Sequence, residues 1–206
     1  MKVVRQGVVE TNSSSSHSLC IEYIDSNNSY FGMLPRVPKK QPPECIDIQS
    51  VPLKQEDYAT TEIDKLRIIV SLITEMIYYE FTEPLRAEWE AKNPNKKYNW
   101  NEYYEYYGRK TKQKGTINYV LGHKYWGYLN SVLKKHCNVY IQPYIKKNYF
   151  PFVSDFVDCD LGCETNKYYS DVGLRLNMDR NAFKSIVEDI IFSPNKAIDQ
   201  YTSERM

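Results

Sequence analysis

No apolar run in this 206-residue chain approaches the ~20 residues that a membrane-spanning helix needs. An excess of one charge is missing as well, since 27 Lys and Arg face 26 Asp and Glu for a formal net charge of +1. That balance gives no global reason to favour nucleic acid or an anionic membrane. Glycine and proline are scarce, with 8 and 10 residues, which excludes a collagen-like chain; with 42% hydrophobic residues the mix also argues against wholesale disorder. Cysteine comes in an odd number, five, which favours free thiols in a reducing cytoplasm over a disulfide framework. The opening MKVVRQGVVETNSSSS has an apolar part too short and broken for a signal-peptide core. A cytoplasmic location without membrane contact is therefore expected, and the formal glycosylation sequons at Asn12 and Asn27 carry no meaning there.

Tyrosine is what the chain has in plenty: 19 Tyr stand beside 7 Phe and 3 Trp. Tyrosine joins contact area to a hydroxyl, so it suits boundaries better than dry cores. Charge is also uneven along the chain. Residues 92–114 hold seven basic and two acidic side chains, and residues 154–171 hold five acidic residues and one lysine.

Periodicity predicts an α+β fold in one domain over residues 1–206. Residues 2–10 (KVVRQGVVE) and 19–24 (LCIEYI) read as strands of an N-terminal β-hairpin, with the polar loop TNSSSSHS between them. Residues 32–57 carry five prolines and read as an irregular excursion with one short strand at 45–48. A helix begins near Thr61, where Thr61 and Asp64 resemble a capping box, and Ile63, Leu66, Ile69, Val70, Ile73, Ile77 and Phe81 follow one face. Pro84 kinks this helix or divides it. A second long helix fits 117–135, weakened by Gly122 and Gly127. Strands are expected at 139–142, 150–157 and 172–176, and Asp179 caps a last helix that Pro194 stops. The small sheet then packs against three or more helices.

Residues 9–19 read VETNSSSSHSL. They resemble an N-terminal signature shared by many poorly characterised proteins of bacteria and their phages, in which a strand, a Glu-Thr-Asn-Ser-Ser-Ser stretch, His-Ser and a second strand follow in order. The resemblance covers roughly the first 24 residues and implies that Glu10, Thr11, Asn12, Ser13, Ser14, Ser15, His17 and Ser18 correspond to that motif. It implies no activity. The residues themselves admit three readings. Thr11, Asn12, Ser13, Ser14, Ser16 and Ser18 offer hydroxyls and backbone N–H groups that cradle a phosphate or other anion, with His17 as a donor near neutral pH. They equally cap their own turn and hold two strands in register. A third reading is catalysis by His17, Glu10 and Ser15, provided the turn brings them together in space. A Walker G-x4-G-K-[ST] pattern is absent.

Cys159-x3-Cys163 has a spacing compatible with zinc, and His136-Cys137 precedes it. Neighbouring residues on a regular element point in different directions, which argues against His136 and Cys137 sharing one ion, so no metal and no cofactor is expected. Cys20 and Cys45 are expected to be buried small hydrophobes. His123, inside GHKYW, is expected to be half-buried and hydrogen-bonded in a helix.

The strongest interaction candidate is KKYNWNEYYEYYGRKTKQKG, residues 96–115. It interleaves Tyr98, Trp100, Tyr103, Tyr104, Tyr106 and Tyr107 with Arg109, Lys110, Lys112 and Lys114. Tyr and Arg are preferred anchors of protein interfaces, with Lys at the rim. Aromatic faces also stack on bases while lysines follow phosphates. Glu102 and Glu105 inside the stretch would repel phosphate, which favours a protein partner over nucleic acid. The first expectation is thus a non-enzymatic accessory protein of phage or mobile-element type that binds a host or defence component. Its alternatives are an enzyme handling a small molecule, nucleotide or phosphate at the serine loop, and a nucleic-acid-binding protein using residues 96–114.

Overall fold

In a computed structural model of the chain, residues 17–23, 32–48, 58–94, 116–143, 174 and 177–202 are described. Helix α1, Glu62–Lys92, is the axis of the fold. Thr61 starts it from an extended conformation, its Oγ1 accepting from Asp64 N at 3.2 Å and donating to Asp64 Oδ2 at 2.7 Å. The expected apolar stripe is buried at Leu66, Ile69, Val70, Ile73 and Ile77, but Ile68, Leu72 and Met76 are buried too. A helix buried on more than one face is a core helix and not an amphipathic surface one. The polar residues caught inside are satisfied locally where the chain permits, as when Thr74 Oγ1 donates to Val70 O at 2.8 Å. Pro84 does not divide the helix, which continues unbroken to Lys92 with Pro84 on an exposed position. Asn93 ends it, its side-chain amide donating to Trp89 O at 2.8 Å and its backbone N–H to Glu90 O at 3.1 Å.

The single helix expected at 117–135 is in fact two, α2 (Thr116–Leu121) and α3 (Lys124–Cys137). Gly122 closes α2 by donating to Asn118 O at 3.0 Å, and His123 is extended. The periodicity runs across the break because Trp126 folds back, its Nε1–H donating to Val120 O at 2.7 Å. At the other end Asn138 adopts the left-handed conformation, φ 54°, that stops a helix. Its side-chain amide donates to Pro38 O at 3.1 Å and Gln41 O at 3.0 Å, fixing the proline-rich excursion against α3.

Two small sheets flank the helices. β2 (Glu44–Ile46) pairs in parallel with β4 (Val139–Ile141). The Asn130 side chain acts as a further strand for β4, accepting from Ile141 N at 2.8 Å and donating to Ile141 O at 2.9 Å. The second sheet has the order β1 (His17–Tyr23), β5 (Lys196–Thr202), β3 (Tyr58–Ala59), antiparallel throughout. α4 (Arg180–Phe192) is capped by Asp179, whose Oδ1 accepts from Asn181 N at 2.8 Å and Ala182 N at 3.0 Å. Tyr125 stacks on Phe183 with centroids 4.9 Å apart, joining α3 to α4 inside one hydrophobic cluster that α1 crosses.

The class is α+β, with four helices among the described residues. Several details differ from the sequence reading. β1 starts earlier than expected and takes in His17 and Ser18, whose Cα partners on β5 are Thr202 and Tyr201. β5 itself, in the tail, carried no expected strand. The first partner of the hairpin, residues 2–10, lies outside the described residues, as does the strand expected at 150–157. Leu174 is buried outside any strand, and the rest of 172–176 is not described. Cys45 is exposed, because β2 is a three-residue edge strand whose first two side chains face outward.

Candidate functional site

Three groupings of polar side chains stand out. The first gathers at the start of α1. Glu62, in its first turn, accepts from Arg36 Nη2 at 2.6 Å and from Leu34 N at 2.9 Å. Arg36 Nη1 donates to Leu34 O and to Cys137 Sγ, both at 2.9 Å. The guanidinium also lies 5.7 Å above the Phe192 ring, a cation–π distance. One turn further along α1, Lys65 is 1% exposed and donates to Ser193 O at 2.8 Å and Lys196 O at 3.0 Å. Burial pushes its amine down from the ordinary lysine range, with Glu62 and Asp189 pulling the other way. Burial likewise raises the Cys137 thiol to about 11 against the pull of Arg36. Neither group is poised for nucleophilic work at neutral pH: the amine is committed to two carbonyls, and the thiol is protonated.

The second grouping is an open trough of about 560 Å³ along the outer side of α4, bordered by His136 from α3. Glu188 Oε1 meets Lys135 Nζ at 2.6 Å and His136 Nε2 at 2.8 Å. The Lys135 hydrogen bond chiefly, then His136, holds the Glu188 carboxyl below the ordinary range. The His136 ring stacks on Phe192 at 4.3 Å. Further along the helix, Asp189 accepts from Ser193 Oγ at 3.1 Å and pairs with Lys196.

The third grouping lies where α1, α2 and α3 meet. His123 Nε2 is 3.2 Å from Glu80 Oε2, with side-chain exposures of 8% and 28%. That Glu80 oxygen is buried and has no aligned hydrogen-bond partner, so the contact with His123 is electrostatic. Tyr119, 39% exposed, packs on Phe81 at 5.1 Å, and its hydroxyl is raised by burial and by Glu80.

Most residues singled out from the sequence fall elsewhere. Glu10, Thr11, Asn12, Ser13, Ser14, Ser15 and Ser16 lie outside the described residues, and so do Tyr98, Trp100, Tyr103, Tyr104, Tyr106, Tyr107, Arg109, Lys110, Lys112, Lys114, Cys159 and Cys163. Only His17 and Ser18 are placed, as backbone in the β1–β5 ladder, so they belong to a strand and not to the turn of a loop. His136 and Cys137 diverge, the thiol inward to Arg36 and the imidazole outward to Glu188. Among the described residues no group of three or more His, Cys, Asp or Glu is placed to hold a metal ion. Arg36, Glu62 and Lys65 went unnoticed because their partners, the Leu34 carbonyl apart, lie 26 to 131 residues away, a distance no local pattern reports. Compared with protein-family models, curated proteins and solved structures, the chain matches none.

Proposed function

We propose that this is a non-enzymatic binding protein of phage or mobile-element type, which engages a host or defence protein through residues 96–114. The observation that carries the reading is the composition of that segment, where Tyr98, Trp100, Tyr103, Tyr104, Tyr106 and Tyr107 run into Arg109, Lys110, Lys112 and Lys114. Rigid aromatic anchors with a basic rim are the chemistry of protein recognition, and Glu102 and Glu105 set the segment against a phosphate backbone. The described chain on either side supports it. α1 ends at Lys92 and α2 starts at Thr116, and α2 presents exposed Tyr119 beside Phe81. The VETNSSSSHSL resemblance supports the phage or mobile-element origin. The binding class is further supported by the described reactive groups, since Lys65, Cys137 and His123 are each engaged with other groups of the fold.

The test compares the wild type with a Tyr103→Ala, Tyr104→Ala, Tyr106→Ala, Tyr107→Ala variant. A partner recovered from bacterial extract is rebuilt from purified components and its affinity measured by calorimetry. Losing several anchors costs roughly 100-fold or more in affinity while circular dichroism and melting stay unchanged. Equal affinity of the two proteins rules out this surface. Fluorescence anisotropy with labelled single-stranded DNA and RNA covers the nucleic-acid alternative: binding that falls steeply with salt replaces the protein reading.

A further inference from the structure

His123 stands at the corner between α2 and α3 with both ring nitrogens occupied. Nδ1 accepts the backbone N–H of Tyr125 at 3.3 Å and closes the first turn of α3. Nε2 faces Glu80 Oε2 at 3.2 Å. A ring nitrogen that accepts a hydrogen bond carries no hydrogen, so the arrangement selects the neutral tautomer with its proton on Nε2. A second proton has one place to go, Nδ1, where it would point at the Tyr125 N–H. Capping and protonation therefore exclude each other.

The surroundings of the ring bear on the same choice. From α3, an imidazolium would meet the positive end of the helix dipole and the neighbouring Lys124. The Tyr125 ring lies 4.5 Å away and keeps water from one side. From α2, the Tyr119 ring lies tilted at 6.0 Å, and burial, then Glu80, raises its hydroxyl. From α1, Glu80 is the one described group that favours the cation. Burial, with Lys124, outweighs Glu80 and holds the imidazole below its ordinary range.

We propose that the α2–α3 corner is a proton-operated latch, in which neutral His123 holds the first turn of α3 and protonation expels the ring and frees that turn. No covalent step is involved: one proton from solvent binds Nδ1, and the Tyr125 N–H turns to water. Gly122, next in the chain, separates the ring from α2, and α2 is the element that residues 96–114 run into. Release at the corner would thus reach the proposed binding segment, a consequence that rests on the binding reading; the latch itself does not.

The test uses the full chain without any partner, so its failure and that of the binding reading are separable. Long-range proton–nitrogen NMR reads the tautomer, and amide exchange reads the cap. The expected result is a proton on Nε2, a His123 midpoint below the ~6.5 of a free histidine, and roughly tenfold loss of Tyr125 amide protection through that midpoint after correction for intrinsic exchange. His123→Asn, whose side chain caps but does not titrate, keeps that protection level over the same range. A proton on Nδ1, a midpoint at or above the free value, or equal acid loss in His123→Asn overturns the latch. Should that variant fail to fold, Glu80→Gln serves instead. Removing the carboxylate lowers the midpoint, and the loss of Tyr125 protection must move with it; a loss that stays put overturns the proposal.

Discussion

Helix α1 carries one polar cluster at its start and another just past its middle, about 27 Å apart at a rise of ~1.5 Å per residue over the 18 positions from Glu62 to Glu80. At the Glu62 end the hydrogen bonds are many and aligned: Arg36 and Lys65 together donate to Glu62, Cys137 and three backbone carbonyls. At the Glu80 end one buried carboxylate oxygen meets a single imidazole off the hydrogen-bond axis. The first cluster holds its arginine and its lysine by aligned hydrogen bonds, and the second turns on a histidine. The difference separates a clamp from a switch. A saturated network of fixed charges rigidifies, whereas a half-satisfied one with a titratable member has two arrangements close in free energy.

The largest expected effect tests the clamp. Lys65→Met keeps the volume but removes the two Nζ hydrogen bonds to the Ser193 and Lys196 carbonyls where α4 turns into β5. Hydrogen bonds made by an amine of this kind contribute about 1.5–3 kcal/mol each, so losing two should cost the variant about 3 kcal/mol in urea denaturation. Amide exchange should then accelerate first in β5, the strand that holds β1 and β3 together. A loss below about 0.5 kcal/mol would mean that water already reaches these carbonyls, and the contrast between the two ends would vanish.

How much of this was legible depended on range. Two helix starts were readable because caps are local: Thr61 with Asp64, and Asp179 with Asn181 and Ala182, announce themselves within three residues. The short parallel strands were readable from β-branched runs around Cys45 and Val139. The break at Gly122 was hidden because Trp126, reaching back to Val120, keeps helical spacing across a non-helical corner. β5 was hidden because KAIDQYT has little apolar alternation, and its pairing with β1 spans most of the chain. Lys65 and Arg36 carry no local signal, since sequence shows a charge but not the carbonyl or thiol that folding places against it. The serine loop and the tyrosine segment were the loudest signals, and apart from His17 and Ser18 they fall outside the described residues.

A smaller effect tests the switch. His123→Ala removes the cap of α3, worth about 1 kcal/mol at pH 7.5 by chemical denaturation. The sign of its pH dependence follows from the imidazole lying below its ordinary range in the fold. The unfolded chain then takes up the proton first, so the stability owed to neutral His123 is complete above ~6.5 and lost as pH falls through the folded value. The gap between wild type and variant should shrink on acidification over that window. A gap that widens would mean that the Glu80–imidazolium pair outweighs the cap, and the second cluster would be a second clamp.

The smallest effect leaves stability untouched and asks whether the clamp hides a reactive group. Arg36 Nη1 donates to Cys137 Sγ at 2.9 Å, an arrangement that favours a thiolate, while 2% exposure favours the thiol. Burial wins, with the thiol raised to about 11. At pH 8 that leaves roughly one molecule in a thousand ionised, and fewer still within reach of a reagent. Iodoacetamide labelling of the native protein, read peptide by peptide, should therefore modify exposed Cys45 and spare Cys137. Cys137 should react only once denaturant opens the Arg36–Glu62 pair above it. Labelling of Cys137 at a rate near that of Cys45 would show the guanidinium prevailing over burial. The saturated end of α1 would then be the chemically active one, and the assignment of clamp and switch would reverse.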